Sequence, residues 1–362
     1  MKIEIIRKPE IIMSNHHSKH KYFGWPSVVR MNDGTLIAGA SGFRLEHVCP
    51  FGKAVIAYSS DNGSTFTNPV PVIDTVLDDR DAGLCRFGEN GLIVTSFNNT
   101  REMQRRHNED NEISKKAYIN SYLDTITDEE ENEAIGSTFR ISRDGGVTFG
   151  ETYKSPVTSP HGPVELSDES LLWVGSNYFR NNNVEDFVEQ IEAYSLDTEN
   201  GRMEFLGQIP DIIENGQRLN SCEPYAVESY NGDIICHIRT EETFTTYQSV
   251  SRDKGRTWSV PERLLPDKGG APCHILKHSS GALVSCYGYR TAPYEIRVMF
   301  SRDNGKTWDK DYALFVSGAS GDLGYPCSAE LADGSIYTVF YAKESDESSP
   351  CVIYGINWKI SE

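Results

Sequence analysis

Residues 223–239 read EPYAVESYNGDIICHIR. Two strand-like apolar runs flank Asn231 and Gly232, and Asn-Gly between such runs is a strong short-range signal for a β-hairpin. The segment opens on Glu223 and ends on Arg239, so a hairpin places both charged side chains at the same end of a sheet. We therefore expect the chemistry of the protein at that end.

Length, composition and charge set the first limits. The chain has 362 residues, 38% of them hydrophobic, and a formal net charge of −18. This length suits two ordinary domains or one large all-β unit, and the charge argues against nucleic acid or an anionic membrane as the main partner. No run reaches the ~18 apolar residues of a membrane span, and the N-terminus lacks a secretory signal pattern, so a cytoplasmic location is expected. The eight cysteines show no CxxC pairing, and we expect them to be reduced, with no metal or other cofactor.

The hairpin at 223–239 has five relatives along the chain. Each combines a strand-like run, a short polar turn and a second strand-like run. They span residues 25–37, 81–94, 161–173, 271–284 and 325–337. Six copies give a mean spacing of about 60 residues, and repetition at a regular period indicates a repeat architecture.

A second repeat alternates with the hairpins. Its pattern is Ser-x-Asp-x-Gly-x-Thr followed by Trp or Phe. Full copies occupy residues 59–66, 142–149, 251–258 and 301–308, and a degenerate copy occupies 195–201. In such a turn the Asp side chain accepts backbone N–H bonds, and Gly adopts a conformation that other residues avoid. This motif is the Asp-box, a structural turn that says little about chemistry.

The two repeats together predict a single domain over residues 1–362. Each unit supplies an inner and an outer hairpin, and six four-stranded units closed into a ring leave no long exposed edge. The fold class is therefore all-β, a six-bladed β-propeller with Asp-box repeats. The sixth unit lacks an Asp-box after Tyr325, so residues 3–6 are expected to form its outer strand beside residues 352–354. A β-sandwich or two small β domains would leave the sixfold pattern unexplained.

Residues from 101 to about 136 break the β pattern within blade 2. They are polar and helix-prone, with Tyr118 and Tyr122 at helical spacing. We expect a helical insertion there. It is either a cap on one rim of the propeller, or a wall of the binding site or a contact for a second subunit.

The inner strands of a propeller line a central channel, and their ends at one face form a funnel. The first residues of the inner hairpins and the loops that follow them should therefore lie close together. The hairpin starts supply Trp25, Arg80, Asp81, His161, Glu223, His274 and Tyr325, and the loops supply Arg44, Glu46, His47, Arg239 and Arg290. Any one of these charged side chains could form a structural salt bridge, but the whole set favours a functional site.

On these motifs the chain resembles the sialidase (neuraminidase) superfamily of six-bladed Asp-box propellers, from about residue 20 to 345. The resemblance implies a Tyr nucleophile polarised by a Glu, an Asp acid/base, and three arginines that bind the substrate carboxylate. Glu223 and Tyr325 match the Glu–Tyr pair. Arg239 and Arg290 match the second and third arginines.

The chain departs from the family pattern at two places. The family's Arg-Ile-Pro motif appears here as Gly-Trp-Pro, so Gly24 stands where the first arginine is expected. The position of the acid/base Asp falls on His47, with Glu46 beside it. Loss of one arginine from a carboxylate clamp should weaken charge-assisted binding, so the sugar-recognition end of the site differs from that of the family.

The residues and the resemblance together predict an exo-acting glycoside hydrolase on a terminal acidic or modified sugar. Glu223 removes the proton of Tyr325, and neighbouring arginine charge favours the phenolate. His47 or Glu46 protonates the leaving oxygen. A Tyr nucleophile is an accepted exception to the paired-carboxylate mechanism of glycosidases. The side chains expected to bind substrate are Arg239, Arg290, Arg44, Glu46, Arg80, Asp81, His161, His274 and Trp25.

Three alternatives stay open. A polysaccharide lyase on a uronate-containing glycan would use Arg to neutralise the carboxylate and Tyr or His to move the α-proton. A non-catalytic carbohydrate-binding propeller would be favoured if Glu223 and Tyr325 proved to lie apart. A purely structural scaffold would leave the charges of the funnel unexplained. The enzymatic and binding hypotheses share one partner class, an oligosaccharide or glycoconjugate.

Overall fold

The computed structural model describes residues 2–178 and 189–361. The chain opens with β1 (Lys2–Met13). Blade 1 consists of β2 (Tyr22–Arg30), β3 (Leu36–Arg44), β4 (Lys53–Ser59) and β5 (Val70–Ile73). Blade 2 consists of β6 (Arg80–Phe87), β7 (Gly91–Phe97), β8 (Ser137–Ser142) and β9 (Thr152–Ser155). Blade 3 consists of β10 (Val164–Glu165), β11 (Leu171–Ser176), β12 (Ile191–Asp197) and β13 (Arg202–Gln208).

The second half of the chain repeats this plan. A short hairpin of β14 (Ile213–Glu214) and β15 (Gln217–Arg218) precedes blade 4. Blade 4 consists of β16 (Ser221–Glu228), β17 (Ile234–Thr240), β18 (Thr245–Ser251) and β19 (Glu262–Arg263). Blade 5 consists of β20 (Cys273–Lys277), β21 (Leu283–Tyr289), β22 (Glu295–Ser301) and β23 (Asp309–Phe315). Blade 6 consists of β24 (Gly324–Glu330), β25 (Ile336–Lys343), β26 (Cys351–Ser361) and β1, so the predicted six-bladed propeller is confirmed.

The hydrophobic cores lie between neighbouring blades. One core joins Ile37 and Val72 of blade 1 to Leu84 and Leu92 of blade 2, all of them buried. Similar clusters join each further pair of adjacent blades, including blade 6 to blade 1. Because each blade buries apolar side chains on both faces, the ring is the arrangement that leaves none of these faces in water.

The N-terminal strand closes the ring as expected, in a different register. β1 pairs antiparallel with β26, with Ile3 opposite Ile360. The segment 352–354, which the sequence paired with residues 3–6, instead faces the far end of β1, where Met13 lies opposite Ile353. The strand is longer than the predicted segment 3–6 and carries three register shifts. The short apolar run at 3–6 indicates neither its length nor these shifts.

The insertion in blade 2 is helical. It forms α1 (Arg101–His107), α2 (Ile113–Leu123) and α3 (Asp128–Ala134) between β7 and β8. Thr127 and Glu130 form a capping box at the start of α3, which satisfies backbone donors of its first turn. The buried side chains Ile119 and Leu123 pack with Leu77 in a separate small core. None of the helices in the described part of the chain is long and apolar enough to cross a membrane.

The Asp-boxes form the expected self-contained turns. In the box at 251–258 the carboxylate of Asp253 accepts hydrogen bonds from the Thr257 backbone N–H, at 2.8 Å, and from the Thr257 hydroxyl, at 2.6 Å. The hydroxyl of Ser251 accepts the N–H of Gly255 at 2.8 Å, and Gly255 has a φ of +87°. The boxes at 59–66, 142–149 and 301–308 repeat these bonds.

We expect the free energy of unfolding to fall as the pH drops from about 4 to about 2. Hydrogen bonds from Thr257 lower the pKa of Asp253 from 3.8 to about 2. A group whose folded-state pKa is depressed stabilises the fold above its unfolded pKa, and this contribution disappears as the pH falls through the folded value. Thermal unfolding of the wild type and of Asp253→Asn should therefore differ most above pH ~4 and converge near pH ~2. A difference in Tm that does not vary with pH would contradict this account.

Candidate active site

Four inner strands carry the same irregularity near their start. β2, β6, β16 and β24 each shift register there. One bulky residue in each takes the left-handed conformation: Trp25 at φ +52°, Asp81 at +46°, Glu223 at +49° and Tyr325 at +48°. We call these four the bulge residues. Such conformations are strained for non-glycine residues and concentrate at functional sites, where a bulge re-aims a side chain. The inner strands of blades 3 and 5, both described in full, show no register shift.

Two bulge residues meet across the channel. The hydroxyl of Tyr325 in blade 6 donates a hydrogen bond to one carboxylate oxygen of Glu223 in blade 4. The other oxygen accepts a bond from Arg239 at 2.6 Å. The same guanidinium nitrogen lies 3.4 Å from the Tyr325 hydroxyl. The structure thus brings together the Tyr, the Glu and one of the arginines that the sequence singled out.

The charges of this group favour an ionised Glu223 and a neutral Tyr325. Burial opposes ionisation of Glu223, but the charge of Arg239 and the bond from Tyr325 outweigh it and lower its pKa below the ordinary value. Burial, and then the Glu223 charge, raise the pKa of Tyr325 well above its ordinary value. The charges of Arg239 and Arg290 lower the pKa of Tyr325, as expected, but burial and the Glu223 charge outweigh them. Since Tyr325 is a phenol in this state, it must lose its proton to Glu223 during any attack on a substrate.

Arg290 lies against the same tyrosine. Its guanidinium carbon is 5.5 Å from the centroid of the Tyr325 ring. It donates to the Leu323 backbone carbonyl at 2.8 Å and to the Tyr341 hydroxyl at 2.9 Å. The Phe244 ring lies near this guanidinium and that of Arg239, with centroid distances of 5.3 Å and 4.8 Å. These contacts hold two guanidinium groups beside Tyr325. The sequence analysis did not identify Tyr341 or Phe244 as part of the site.

Gly24 is packed against aromatic rings. A Cβ atom at this position would lie 3.2 Å from the ring of Tyr22 and 3.8 Å from that of Tyr341. The first contact is tight, so the Tyr22 ring would have to shift to admit a larger residue. The departure from the family pattern therefore lies where these two rings pack.

Arg44 was expected to bind substrate, and the structure corrects this. Its side chain is 0% exposed and donates two hydrogen bonds to Asp78, one of them at 2.8 Å. It also donates to the backbone carbonyl of His47 at 2.9 Å. A guanidinium buried in this way stabilises the loop that carries His47, and a ligand in the funnel cannot reach it. The sequence could not show that Asp78 is its partner.

Arg80 and Trp25 are packed against each other. The guanidinium carbon of Arg80 lies 4.2 Å from the Trp25 ring centroid, which is cation–π geometry. Arg80 also donates to the His47 carbonyl at 2.8 Å. Trp25 is buried, and its ring lies 6.4 Å from that of Tyr325. Both residues therefore shape the wall beside the tyrosine, and their expected contact with substrate stays a prediction.

Glu46 contacts the helical insertion. Its carboxylate accepts a hydrogen bond from Asn111 at 2.8 Å and forms an ion pair with Lys115 on α2. The insertion thus contacts the loop that carries His47, as expected for a wall or a rim cap. Its suggested role as a contact for a second subunit stays a prediction. Because Glu46 is engaged in these bonds, it is less suited to the acid role than the sequence suggested.

His47 forms part of a hydrogen-bonded group at the rim. Its Nδ1 atom lies 3.0 Å from an Asp322 oxygen and 2.9 Å from the Tyr22 hydroxyl. Its side chain is 44% exposed. Burial lowers the pKa of His47, and the bond to Asp322 opposes that shift without reversing it. Asp322 was missed because nothing in the repeats marks it, although it lies only three positions before Tyr325.

Asp81 is 5% exposed. No described residue donates a hydrogen bond to its carboxylate. Burial raises its pKa to about 7, the charge of Arg80 lowers it, and that of Glu223 raises it further. A buried carboxyl with no protein donor is unusual and needs an explanation. Its expected role in binding stays a prediction.

His161 and His274 are buried against each other, and their ring centroids are 5.2 Å apart. Tyr225 stacks on His274 at 4.5 Å. Burial lowers the pKa of His274 to about 3 and that of His161 well below its ordinary value, so both imidazoles are neutral. With Tyr225 they form a cluster of packed rings, and a cavity of about 510 Å³ borders Tyr225 and His274. Their expected contact with substrate stays a prediction.

The described residues hold no cluster of three or more His, Cys, Asp or Glu side chains that could bind a metal ion. A phenol hydrogen-bonded to an ionised carboxylate can act as a nucleophile with its base. Two neighbouring arginines can bind a carboxylate or another anionic group.

Comparisons with known proteins agree with this architecture. A model of the BNR repeat-like domain family matches residues 126–338. No curated protein sequence gives a significant match. The crystal structure of a Dyadobacter fermentans protein of unknown function superposes on this chain with a TM-score of 0.76 at 18% identity. The match covers 99% of both chains.

Solved sialidases share the fold at low identity. The intramolecular trans-sialidase of Ruminococcus gnavus, in complex with oseltamivir carboxylate, gives a TM-score of 0.65 at 15% identity over 97% of both chains. Trypanosoma rangeli sialidase in complex with sialic acid gives 0.62 at 13% identity, and the match covers 99% of this chain and 58% of that one. At such identities the likeness shows the fold alone. Since the family model matches more than half of the chain, the protein belongs to the BNR repeat-like domain family and is a divergent, sialidase-like six-bladed propeller.

Proposed function

We propose that the protein is an exo-acting glycoside hydrolase that removes a terminal acidic or modified sugar, with Tyr325 as nucleophile and Glu223 as its base. The observation that carries this proposal is the hydrogen bond from Tyr325 to Glu223 across two blades, with Arg239 on the second carboxylate oxygen. A structural ion pair between Glu223 and Arg239 alone would not require a buried tyrosine in a strained conformation. The contact also argues against the hypothesis of a non-catalytic binding propeller.

The protonation states support nucleophilic catalysis. Glu223 is ionised and Tyr325 is a phenol, so the proton has an acceptor already in place. As the phenol oxygen bonds to the anomeric carbon, its proton passes to Glu223 and the bond to the leaving group breaks. Arg239 then stabilises charge on the phenol oxygen, from 3.4 Å. Preorganised charges of this kind supply much of the catalysis in buried sites.

The arginines indicate the substrate class. Arg239 and Arg290 both lie near the Phe244 ring and close to Tyr325. Two guanidinium groups beside the nucleophile favour an anionic or strongly polar substituent on the sugar. The missing arm at Gly24 separates this site from a three-arginine clamp, so a modified acidic sugar is the favoured substrate class.

The burial of the catalytic group favours removal of terminal residues. Tyr325 is 4% exposed, and the side chains of Arg239 and Glu223 are only 16% and 22% exposed. Side chains this little exposed are reached more readily by the end of a glycan than by its middle. This burial suits an exo-acting enzyme.

A fluorogenic screen tests the proposed function. The probes are 4-methylumbelliferyl glycosides of nonulosonic acids, of hexuronic acids and of neutral hexoses, each incubated with the wild-type protein. We expect release of 4-methylumbelliferone from at least one acidic glycoside, with no new near-ultraviolet absorbance in the sugar product. An unsaturated, ultraviolet-absorbing product would indicate the lyase instead. Saturable binding of acidic sugars without release from any probe would overturn the proposal in favour of a binding propeller.

A further inference from the structure

Asp81 occupies the same structural position as the nucleophile and its base. It is a bulge residue, like Glu223 and Tyr325, and the φ angles of the three differ by only a few degrees. These three lie on alternate blades, since Asp81 belongs to blade 2, Glu223 to blade 4 and Tyr325 to blade 6. Glu223 and Tyr325 meet across one intervening blade, and the same spacing places Asp81 at the third corresponding point of the ring, where its charge acts on both of them.

The surroundings of Asp81 differ sharply from those of Glu223. Glu223 accepts bonds from Arg239 and Tyr325. The carboxylate of Asp81 is buried and accepts none from the residues that the structure describes, because the neighbouring Arg80 points to the Trp25 ring and to the His47 carbonyl. One buried carboxylate is thus paired, and the other has no hydrogen-bond donor among the described residues.

Two carboxyl groups in unlike environments can divide the roles of acid and base. Arg239 holds the pKa of Glu223 below its ordinary value, whereas burial and the Glu223 charge raise that of Asp81 to about 7. Two titratable groups whose pKa values are shifted in opposite directions are typical of an acid/base pair in an enzyme. At neutral pH a substantial fraction of Asp81 therefore carries a proton that it can donate.

His47 is less suited to the donor role that the sequence gave it. Its Nδ1 atom is engaged by Asp322 and Tyr22. Burial lowers the pKa of His47, so its imidazole is mostly neutral at neutral pH. A neutral imidazole lacks the extra proton that a general acid donates.

We propose that Asp81 is the general acid/base of this site, a role that rests on the proposed glycosidase function. In the first step Asp81 gives its proton to the leaving-group oxygen while the Tyr325 oxygen bonds to the anomeric carbon and Glu223 takes the phenol proton. In the second step Asp81, now a carboxylate, takes a proton from the attacking water. The bond between the anomeric carbon and Tyr325 then breaks, and Glu223 returns the proton to the phenol oxygen.

The test compares leaving groups. Two glycosides of the sugar found in the screen are used. In the first the leaving group is 2,4-dinitrophenolate, which departs without protonation. In the second it is galactose, whose oxygen must be protonated as it leaves. For Asp81→Asn we expect kcat/KM to fall about 10²–10⁴-fold with the galactoside and less than about tenfold with the dinitrophenyl glycoside. Sodium azide should restore kcat of the variant on the dinitrophenyl glycoside and yield the glycosyl azide, because azide attacks without giving up a proton.

Two further variants make the result specific. Asp110→Asn makes the same chemical change at an exposed position for which the described residues show no hydrogen bond or ion pair, and it should match the wild type on both glycosides. His47→Gln measures the alternative donor. The proposal is overturned if Asp81→Asn loses both activities equally, if azide gives no rescue, or if His47→Gln alone shows the dependence on leaving group.

The outcomes also separate this inference from the proposed function. If Tyr325→Phe abolishes turnover while Asp81→Asn shows no dependence on leaving group, only the role of Asp81 fails. If the wild-type protein cleaves none of the glycosides, the proposed function fails and the role of Asp81 fails with it. Thermal unfolding of Asp81→Asn, compared with the wild type, confirms that the loss measured is one of chemistry and not of folding.

Discussion

Replacement of Tyr325 by phenylalanine should lower kcat by at least about 10³-fold on any glycoside that the wild-type protein cleaves, since loss of a covalent nucleophile costs up to about 10⁶ in related cases. The change removes one oxygen atom and keeps the ring that packs between Trp25 and Tyr341. Glu223 keeps its bond to Arg239, so no charge is left unpaired. We therefore expect a folded protein with almost no turnover, measured by release of the fluorogenic leaving group.

A second tyrosine in the same blade gives the matched control. Tyr337 is also buried, and its hydroxyl donates to the backbone carbonyl of Gly63 at 3.1 Å, in the Asp-box of blade 1. Tyr337→Phe removes one buried hydroxyl, as Tyr325→Phe does, but far from the proposed chemistry. It should lower the free energy of unfolding by about 1 kcal/mol and retain turnover. Full activity in Tyr325→Phe would show that Tyr325 is not the nucleophile.

A mass spectrum provides a second readout for the same prediction. If Tyr325 forms the covalent intermediate, a slowly turned-over fluorinated glycoside should add one glycosyl unit to the wild-type chain. Peptide mapping should place that unit on Tyr325, and Tyr325→Phe should remain unlabelled. Labelling of Glu223 instead would reverse the assigned roles of base and nucleophile.

The fold could be predicted because its signals are local and repeated. An Asp-box such as residues 251–258 satisfies its own hydrogen bonds within eight positions, so the sequence pattern alone identifies it. The inner hairpins recur at a nearly regular interval for the same reason. The register of β1 against β26 was wrong because an apolar alternation in residues 3–6 fits several registers equally well.

The candidate site was only partly predictable. Glu223 and Tyr325 hold equivalent places in two hairpins, which predicts that they lie at the same face of the ring. Their pairing was implied by the resemblance to the sialidase family. The role of Arg44 depended on Asp78, 34 positions away, and sequence gives no measure of burial for such a pair. The direction of the Tyr325 pKa shift was likewise missed, because burial outweighs the arginine charges that were visible in the sequence.

The largest expected loss of stability comes from Asp78→Asn. Asp78 and Arg44 are both 0% exposed, and their carboxylate and guanidinium pair with two hydrogen bonds. Asp78 also accepts bonds from Arg80, at 3.4 Å, and from Gln104 of α1, at 3.3 Å, so it joins blade 1 to the insertion. Asparagine removes the negative charge and leaves Arg44 buried without a counter-charge. Breaking one side of a buried ion pair costs about 3–5 kcal/mol.

A partly exposed ion pair at the outer strands of blade 1 serves as the control. Lys53 and Asp74 form a salt bridge with side chains that are 33% and 46% exposed, and such surface pairs contribute about 0–1 kcal/mol. Urea unfolding should therefore show a large drop in midpoint for Asp78→Asn and almost none for Asp74→Asn. Arg44→Met combined with Asp78→Leu removes both buried charges, and it should recover part of the loss because no unpaired ion remains. Equal midpoints for the two single variants would show that water reaches Arg44. The Arg44–Asp78 pair would then not hold the loop that carries His47 in place.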